Sequence, residues 1–273
     1  MDTIGFIGAG NMAEALIKGI ISANVCKPKY IFINDIRPER LEYLTRQYHV
    51  QAVSNSTALA GQVDILILGV KPQNMPNVLL AIEATVKSTT LVISIAAGVK
   101  IDEISAALND KAIIRVMPNT PALVKTGATA LHGNDNISAE QRSRAEGIMR
   151  AVGLAVWVDR EELLDTVTAL SGSGPAYFFL LMEAMEDAAV RLGLDPAAAR
   201  LLTQQTALGS ARLAMESEES PAELRRKVSS PGGTTEAAIS AFEDGGLRNL
   251  VLDAILAAAN RAASLSVELG EDK

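Results

Sequence analysis

The spacing of hydrophobic and polar residues changes near residue 160. Before that point, short apolar runs alternate with stretches whose apolar positions recur at helical spacing. Such alternation is typical of an α/β fold, in which helices cover both faces of a mostly parallel sheet. The pattern predicts strands over residues 3–7, 30–34, 65–68, 91–94, 113–117, 128–131 and 155–158, with helices over 12–22 and 38–48 among the connections.

Beyond residue 160 the strand runs disappear and helical spacing dominates. Ala and Leu are frequent here, and Pro175, Pro196 and Pro221 stand where proline is tolerated, in the first turn of a helix. Helices this apolar have more than one face to bury. We therefore expect a subunit interface, although a self-contained bundle would also satisfy the pattern. The predicted helices cover residues 175–192, 196–216, 221–227, 235–243 and 247–269.

The first predicted strand runs directly into "GAGNMA", residues 8–13, which opens the first predicted helix. In such a G-x-G-x-x-A turn, Gly8 permits the tight turn, Gly10 lets a pyrophosphate approach the backbone, and Ala13 lies at a close contact between helix and strand. We therefore predict a Rossmann-type dinucleotide-binding domain over residues 1–160, followed by an all-helical domain over 161–273.

Residues near the end of the second predicted strand give opposing indications about the cofactor. Asp35 is placed to accept hydrogen bonds from the adenosine ribose hydroxyls, which favours NADH. Arg37 and Arg40 follow closely, and either guanidinium could pair with the 2′-phosphate of NADPH. Lys71 and Asn119 are further polar candidates, because each follows another strand end. The sequence leaves the choice between NADH and NADPH open.

Composition argues against several other classes of function. The 273 residues carry a net charge of −7 without a basic cluster, so we expect no nucleic-acid partner and no membrane association. The single Cys26 fits a reducing cytoplasm, and the strand predicted from residue 3 leaves no place for a signal peptide. His49 and His132 lie beside no nucleophile or ligand cluster, so we expect neither a catalytic histidine nor a metal site.

A run of small and hydroxylated residues, "VSSPGGTT" at 228–235, interrupts the helical half. Taken alone, it is compatible with a turn between helices. Another run, "SGSGP" at 171–175, is similar to the place where β-hydroxyacid dehydrogenases carry G-x-G-x-x-x-K, but this chain has Phe178 at the lysine position. Oxidation of an alcohol needs a group that takes the hydroxyl proton, whereas reduction of a C=N bond needs no fixed lysine or histidine.

In order along the chain, "GFIGAGNMA", "VKP", "SIAAGV", "MPNTPA", "SGSGPAY" and "SSPGGTT" resemble the motifs of the pyrroline-5-carboxylate reductases, over nearly the whole sequence. The resemblance implies NAD(P)H-dependent reduction of 1-pyrroline-5-carboxylate to L-proline, the last step of proline biosynthesis. It also implies a C-terminal dimerisation domain and, in many members, decamers built from dimers. The alternatives are a nucleotide-binding assembly protein without catalysis and a related imine or β-hydroxyacid-type dehydrogenase.

The same resemblance assigns roles to individual residues. Thr235 matches the threonine that hydrogen-bonds the ring nitrogen, and the backbone of residues 230–235 matches a cradle for the substrate carboxylate. Asp35 departs from the family pattern, because members that prefer NADPH tend to carry Ser, Thr or Arg there. The expected substrate-binding residues are Ser230, Gly232, Gly233, Thr234, Thr235 and Glu161, with Thr235 catalytic, and the expected cofactor-binding residues are Gly8, Ala9, Gly10, Asn11, Met12, Asn34, Asp35, Arg37, Asn55, Val70, Lys71, Pro72, Ala96, Ala97 and Asn119.

Overall fold

A computed structural model describes residues 2–109 and 111–271, with side chains described as far as residue 265. The strands of this described part are β1 (Ile4–Ile7), β2 (Ile31–Asn34), β3 (Gln51–Ala52), β4 (Ile65–Leu68), β5 (Leu91–Ser94), β6 (Ala112–Met117), β7 (Gly127–Gly133) and β8 (Gly153–Trp157). They form one sheet in the order β3-β2-β1-β4-β5-β6-β7-β8. Neighbouring strands are parallel except β6 and β7, which are antiparallel.

The central strands are buried on both faces. Every residue of β1, β4 and β5 is buried, which explains why their sequences are continuous apolar runs. Within β4, Ile65 and Ile67 enter one hydrophobic core, whereas Leu66 and Leu68 enter another. This alternation places one core on each face of the sheet, as predicted for a parallel sheet covered on both sides.

All seven predicted strands are confirmed, with ends that differ by at most two residues. The prediction misses β3, because Gln51 and Ala52 are both exposed and therefore form no apolar run. The helices connecting the strands are α1 (Asn11–Ser22), α2 (Pro38–Tyr48), α3 (Ser56–Ala60), α4 (Met75–Ile82), α5 (Ile101–Leu108) and α6 (Ala139–Arg150).

The chain after β8 is helical, so the α/β fold with a Rossmann-type first half and a helical second half is confirmed. A π-helical turn, Thr168–Gly172, directly follows the first of these helices, which ends at Val167. None of the helices in the described residues has both the length and the hydropathy needed to cross a membrane. The helices are α7 (Leu163–Val167), α8 (Gly174–Arg191), α9 (Pro196–Glu216), α10 (Pro221–Lys227), α11 (Thr234–Asp244) and α12 (Leu247–Glu271).

The chain divides into two compact units. The first comprises Met1–Ser173 together with Ala257–Lys273, and the second is Gly174–Leu256. The division falls at the start of α8, later than the boundary at residue 160 that composition indicates. Because compactness and composition measure different properties, the boundary at 160 stays a prediction.

The second unit exposes many large apolar side chains. Its helices α8 and α9 pack on each other, and Ala199 and Thr203 of α9 are buried. In contrast, Phe178 of α8 is 64% exposed and Leu250 of α12 is 65% exposed. Exposed apolar side chains in this number are typical of helices that take part in an interface.

Candidate functional site

The parallel strands of the first unit end at one edge of the sheet. Ile7 of β1 lies in register with Asn34 of β2 and Leu68 of β4. The chain builds β2 and β3 on one side of β1 and then crosses to β4 on the other, which makes this edge a topological switch point, where α/β sheets bind ligands. The fold brings to this edge the predicted residues Gly8, Ala9, Gly10, Asn11, Met12, Asn34, Asp35, Arg37, Asn55, Val70, Lys71, Pro72, Ala96, Ala97 and Asn119.

The two glycines of the first turn have different surroundings. Gly8 has φ +91°, and a Cβ atom there would lie 2.6 Å from the backbone of Gly69, so the fold itself demands glycine. Gly10 has φ −70°, and a Cβ atom there would meet nothing within 4 Å. The protein itself therefore does not need glycine at position 10. The lack of a side chain there leaves space for a ligand close to the backbone.

Helix α1 begins beside that space. Its N-cap is Gly10, and no side chain caps the first turn. The first N–H groups of a helix carry partial positive charge and readily bind anions such as phosphate. A pyrophosphate therefore fits the turn in both shape and charge, and the residues present suit a dinucleotide.

Four donors converge on the Asp35 carboxylate. Oδ2 accepts from the Ala9 N–H at 2.8 Å and from Arg37 Nη2 at 3.1 Å, while Oδ1 accepts from Nε and the backbone N–H of Arg37 at 2.9 and 3.0 Å. Burial alone would raise the pKa of this carboxyl, but the hydrogen bonds from Arg37 and Ala9 and the charge of Arg37 hold the pKa below its usual value. A carboxylate has about four lone-pair positions, so Asp35 can accept a ribose hydroxyl only by releasing a donor. Arg37, with 52% of its side chain exposed, has the most freedom to leave.

Arg40, the other arginine considered for a 2′-phosphate, faces the glycine-rich turn instead. Its Nε donates to the Ala9 carbonyl oxygen at 2.6 Å, and its Nη2 donates to Glu14 at 2.5 Å. Arg37 and Arg40 are thus separated in role: Arg37 is exposed beside Asp35, whereas Arg40 is hydrogen-bonded to the turn.

Three further predicted residues lie in loops of the same edge. Asn55 caps α3, because its Oδ1 accepts from the Ala58 N–H at 2.7 Å. Lys71 is exposed and precedes the short 3-10 turn Pro72–Asn74. Ala97 is also exposed, next to a buried neighbour. The cofactor roles of these three residues stay predictions. Lys71 is the charged residue of the three, and its side chain is exposed.

Asn119 acts as a structural brace. Its side chain is buried, its Oδ1 accepts from the Ala128 N–H at 2.9 Å, and its Nδ2 donates to the Ser171 carbonyl at 3.0 Å. The side chain therefore ties the end of β6 to β7 and to the π-helical turn. A cofactor contact from Asn119 stays a prediction, and it would have to use the second Nδ2 hydrogen or the second lone pair of Oδ1.

Glu161, expected on the substrate side, is engaged within the first unit. Its Oε1 accepts from Arg115 Nη1 and from the Ile101 N–H, both at 2.9 Å. Arg115 also reaches Asp165 at 3.4 Å and is only 4% exposed. Sequence reasoning misses Arg115, although an arginine inside the apolar run "AIIRVM" is a signal, because a buried charge requires a partner.

The run of small residues in the second unit forms the loop before α11. Gly232 has φ +69°, and Gly233 is the N-cap of α11, which has no side-chain cap. The Gly232 N–H donates to Glu236 Oε2 at 2.6 Å, and the Gly233 N–H donates to the Ser230 carbonyl at 3.0 Å. Two N–H groups of the predicted carboxylate cradle therefore have internal acceptors. Thr234 and Thr235 contribute the first two residues of the helix, where N–H groups point outward.

Glu236, in the first turn of α11, contacts this loop and is missed by the sequence-based prediction. It places a carboxylate on a loop N–H, the same kind of contact that we expect for a substrate carboxylate. Its position in the first turn of α11 could have indicated such a contact, because the helix dipole favours acidic residues there.

Comparison with known proteins matches both halves of the chain. A family described as "Pyrroline-5-carboxylate reductase dimerisation" matches residues 161–265. A second family, described as "NADP oxidoreductase coenzyme F420-dependent", matches residues 3–98. The first match covers the helical half and the second covers the glycine-rich turn with β1–β5.

Relatives that align with nearly the whole chain are also pyrroline-5-carboxylate reductases. The pyrroline-5-carboxylate reductase of Pseudomonas aeruginosa is 45% identical over 98% of each chain. Among solved structures, a pyrroline-5-carboxylate reductase from Coxiella burnetii has a TM-score of 0.91 and 43% identity, covering 97% of this chain and 98% of that one. The Plasmodium falciparum pyrroline carboxylate reductase, solved with NADP bound, has a TM-score of 0.87 and 30% identity, with coverage of 97% and 98%. On this identity and coverage, the chain belongs to the pyrroline-5-carboxylate reductase family.

Proposed function

We propose that this protein reduces 1-pyrroline-5-carboxylate to L-proline with NAD(P)H, as the last step of proline biosynthesis. The proposal rests on the loop of residues 228–235. This loop ends at the start of α11, where no side chain caps the helix. It contains hydroxyl groups but no lysine or histidine that could act as an acid or base. We further propose that the protein works in the cytoplasm, where the single, buried Cys26 would stay reduced.

The first unit would hold the cofactor at the carboxyl edge of its sheet. The turn around Gly10 and the start of α1 would bind the pyrophosphate, and Asp35 or Arg37 would face the adenosine ribose. When bound, NAD(P)H supplies the hydride that reduces the C=N bond. Lys71, exposed beyond β4, is placed on the same edge and would add a positive charge toward the phosphates.

The second unit would hold the substrate by its carboxylate. The Thr234 and Thr235 N–H groups lie at the positive end of α11, which suits a small anion. The Thr235 hydroxyl would hydrogen-bond the ring nitrogen and so orient the C=N bond. That nitrogen can take its proton from water, so a neutral hydroxyl is sufficient where an alcohol substrate would need a base.

Kinetics of Thr235 variants test the proposal. We expect Thr235→Ala to lower kcat/KM for 1-pyrroline-5-carboxylate by about one to two orders of magnitude, the size of a lost oriented hydrogen bond. Thr235→Ser keeps a hydroxyl and should retain most activity, and Thr234→Ala is the neighbouring control. Unchanged kinetics in Thr235→Ala would remove Thr235 from the mechanism. Turnover of a 2- or 3-hydroxy acid by the wild type, with none of the pyrroline, would overturn the reductase assignment.

We also propose that the helical second unit forms a homodimer, on which larger rings such as decamers could be built. The match of residues 161–265 to a dimerisation family supports this assembly. The exposed apolar side chains of α8 and α12 provide the surface that two copies would bury.

A further inference from the structure

The glycine-rich turn is held from outside by a side chain of α2. Arg40 Nε donates to the Ala9 carbonyl oxygen at 2.6 Å, and Arg40 Nη2 donates to the Gly10 carbonyl oxygen at 3.3 Å. On the other side of the same residue, the Ala9 N–H donates to Asp35 at 2.8 Å. Both peptide groups that flank the Ala9 α-carbon are thus fixed by charged side chains.

Arg40 is itself held by a polar cluster behind the turn. Its Nη2 lies 2.5 Å from Glu14 Oε2, and both side chains are 17% exposed. The other oxygen, Glu14 Oε1, accepts the hydroxyl hydrogen bonds of Tyr48 at 2.9 Å and Tyr43 at 3.1 Å. This cluster, comprising Glu14, Arg40, Tyr43 and Tyr48, joins the first turn of α1 to three turns of α2.

The charges in the cluster fix its protonation at neutral pH. Burial by itself would raise the pKa of Glu14, but hydrogen bonds from Arg40, Tyr48 and Tyr43 and the charge of Arg40 hold the pKa below its usual value. Burial and the bond to Glu14 raise the pKa of Tyr48 to about 12. Glu14 is therefore an ionised acceptor, and Arg40 keeps its strong partner across the working range of an enzyme.

Holding the carbonyls fixes the opposite N–H groups. A trans peptide directs its C=O and N–H to opposite sides, so the Gly10 N–H points away from the Ala9 oxygen, and the Asn11 N–H points away from the Gly10 oxygen. Arg40 lies on the oxygen side of both peptides. A charge-assisted hydrogen bond to a carbonyl also polarises the peptide and strengthens its N–H as a donor.

We propose that Arg40 is a positioning residue for the cofactor pyrophosphate, acting through the two peptide groups that it holds and without touching the phosphates. The inference rests on the proposed function, because it takes the turn as the pyrophosphate site. Arg40 serves NADH and NADPH equally, since both carry the same pyrophosphate. Glu14 acts through Arg40 by fixing the guanidinium in place.

Direct binding of cofactor to the intact 273-residue protein tests this proposal. We expect Arg40→Met to raise the Kd of NADPH and of NADH by the same factor, about tenfold, as measured by calorimetry. The KM for 1-pyrroline-5-carboxylate should stay the same and kcat should change less than the cofactor KM. Arg40→Lys should rescue only in part, because one ammonium cannot span two carbonyls and a carboxylate.

Two further variants separate positioning from stability. Arg144→Met removes surface ion pairs to Glu140 and Asp2 and is the matched control, for which cofactor Kd should not change. Glu14→Gln should also raise the Kd of both cofactors. The double variant should have the same Kd values as Arg40→Met alone, because Glu14 acts on the turn only through Arg40.

Three results would overturn the proposal. One is a lowered melting temperature with unchanged cofactor Kd, which would make Arg40 purely structural. Another is a higher Kd for NADPH alone, which would indicate a direct contact with the 2′-phosphate. The third is full additivity of the two substitutions. A wild type that binds both cofactors but reduces no pyrroline-5-carboxylate would contradict the proposed reaction, while the Kd values would still decide the role of Arg40.

Discussion

Gly8 and Gly10 stand two positions apart, yet only one of them is required by the fold. The close approach of Gly8 to Gly69 and its positive φ leave no alternative to glycine. Around Gly10 the protein leaves open space. The difference separates a glycine that the fold requires from one that only the proposed binding of a cofactor would require.

We predict that Gly10→Ala keeps the melting temperature within a degree or two, because its new methyl group meets no protein atom. The same methyl group would occupy the approach to the pyrophosphate, so the Kd of NAD(P)H should rise about tenfold or more. Gly8→Ala is the contrasting variant and should unfold at a clearly lower temperature. Tight cofactor binding by Gly10→Ala would argue against the turn as the phosphate site.

The Asp35–Arg37 pair leads to a prediction about cofactor preference. Asp35→Ser removes a charge that repels a 2′-phosphate and releases Arg37, so the ratio of kcat/KM for NADPH over NADH should rise about tenfold. Asp35→Asn keeps an acceptor for the Ala9 N–H while removing the charge, and therefore tests charge separately from turn geometry. A ratio that stays constant or falls in Asp35→Ser would show that Asp35 does not face the ribose.

At the residue scale, the sequence predicts the positions of candidate site residues better than it predicts their hydrogen-bond partners within the protein. Motif order predicts that Asn119 and Glu161 stand near strand ends and near the helical half. It cannot show that Asn119 is tied to Ser171 or that Glu161 is tied to Arg115, because those partners lie 52 and 46 residues away. Such contacts depend on how distant elements pack.

At the scale of elements, Glu161 joins the start of α5 to β6. We predict that Glu161→Gln lowers the free energy of unfolding by about 2 kcal/mol, because the buried Arg115 loses its closest charged partner. Asp165→Asn, at a longer distance from Arg115, is the matched control and should cost less. Urea denaturation measures both. If Glu161→Gln instead raised the KM for the pyrroline at unchanged stability, Glu161 would be a substrate residue.

Asp64 gives the sheet an acid-sensitive contact. The backbone N–H and hydroxyl of Thr3 donate to its carboxylate at 2.9 and 2.8 Å, and the Thr3 N–H lowers its pKa most strongly. A carboxyl whose folded pKa is depressed stabilises the fold above its unfolded pKa and loses that contribution as pH falls through the folded value.

We therefore predict that Asp64→Asn costs about 1 kcal/mol at pH 7. The difference from wild type should begin to shrink below about pH 4 and disappear as pH falls through the lowered pKa of the folded carboxyl, where the wild-type group also becomes neutral. Urea unfolding of both proteins at pH 7 and below about pH 4 measures this difference. Asp135→Asn, at an exposed position, is the control, and its difference from wild type should not change with pH. A difference that grows toward acid pH would contradict the assignment.

Elements are predicted well where hydrophobic spacing is strong. Helices α9 and α10 begin and end where the proline positions and periodicity predict. β3 escapes prediction because an exposed edge strand of two residues has no burial pattern to read. Its existence depends on pairing with β2, which is a tertiary contact.

At the scale of the whole molecule, the exposed helices of the second unit lead to a prediction about assembly. We expect a mass in solution of at least twice 28.8 kDa by light scattering, and a melting temperature that rises with protein concentration. The double variant Phe178→Ser, Leu181→Ser should shift the population toward monomer, because both side chains are large and exposed on α8. Leu80→Ser changes an exposed apolar residue of the first unit and serves as the control. A monomeric wild type would refute the dimer.

The four donors on Asp35 also constrain how this enzyme could change its cofactor during evolution. One carboxylate accepts both from the Arg37 guanidinium and from the Ala9 N–H of the glycine-rich turn. If the proposed function holds, a substitution of Asp35 that alters cofactor specificity would also disturb the turn expected to bind the pyrophosphate. Asparagine is the intermediate that keeps the turn braced while the charge is lost. A change of cofactor preference at position 35 would therefore be accommodated best by a side chain that still accepts from the Ala9 N–H.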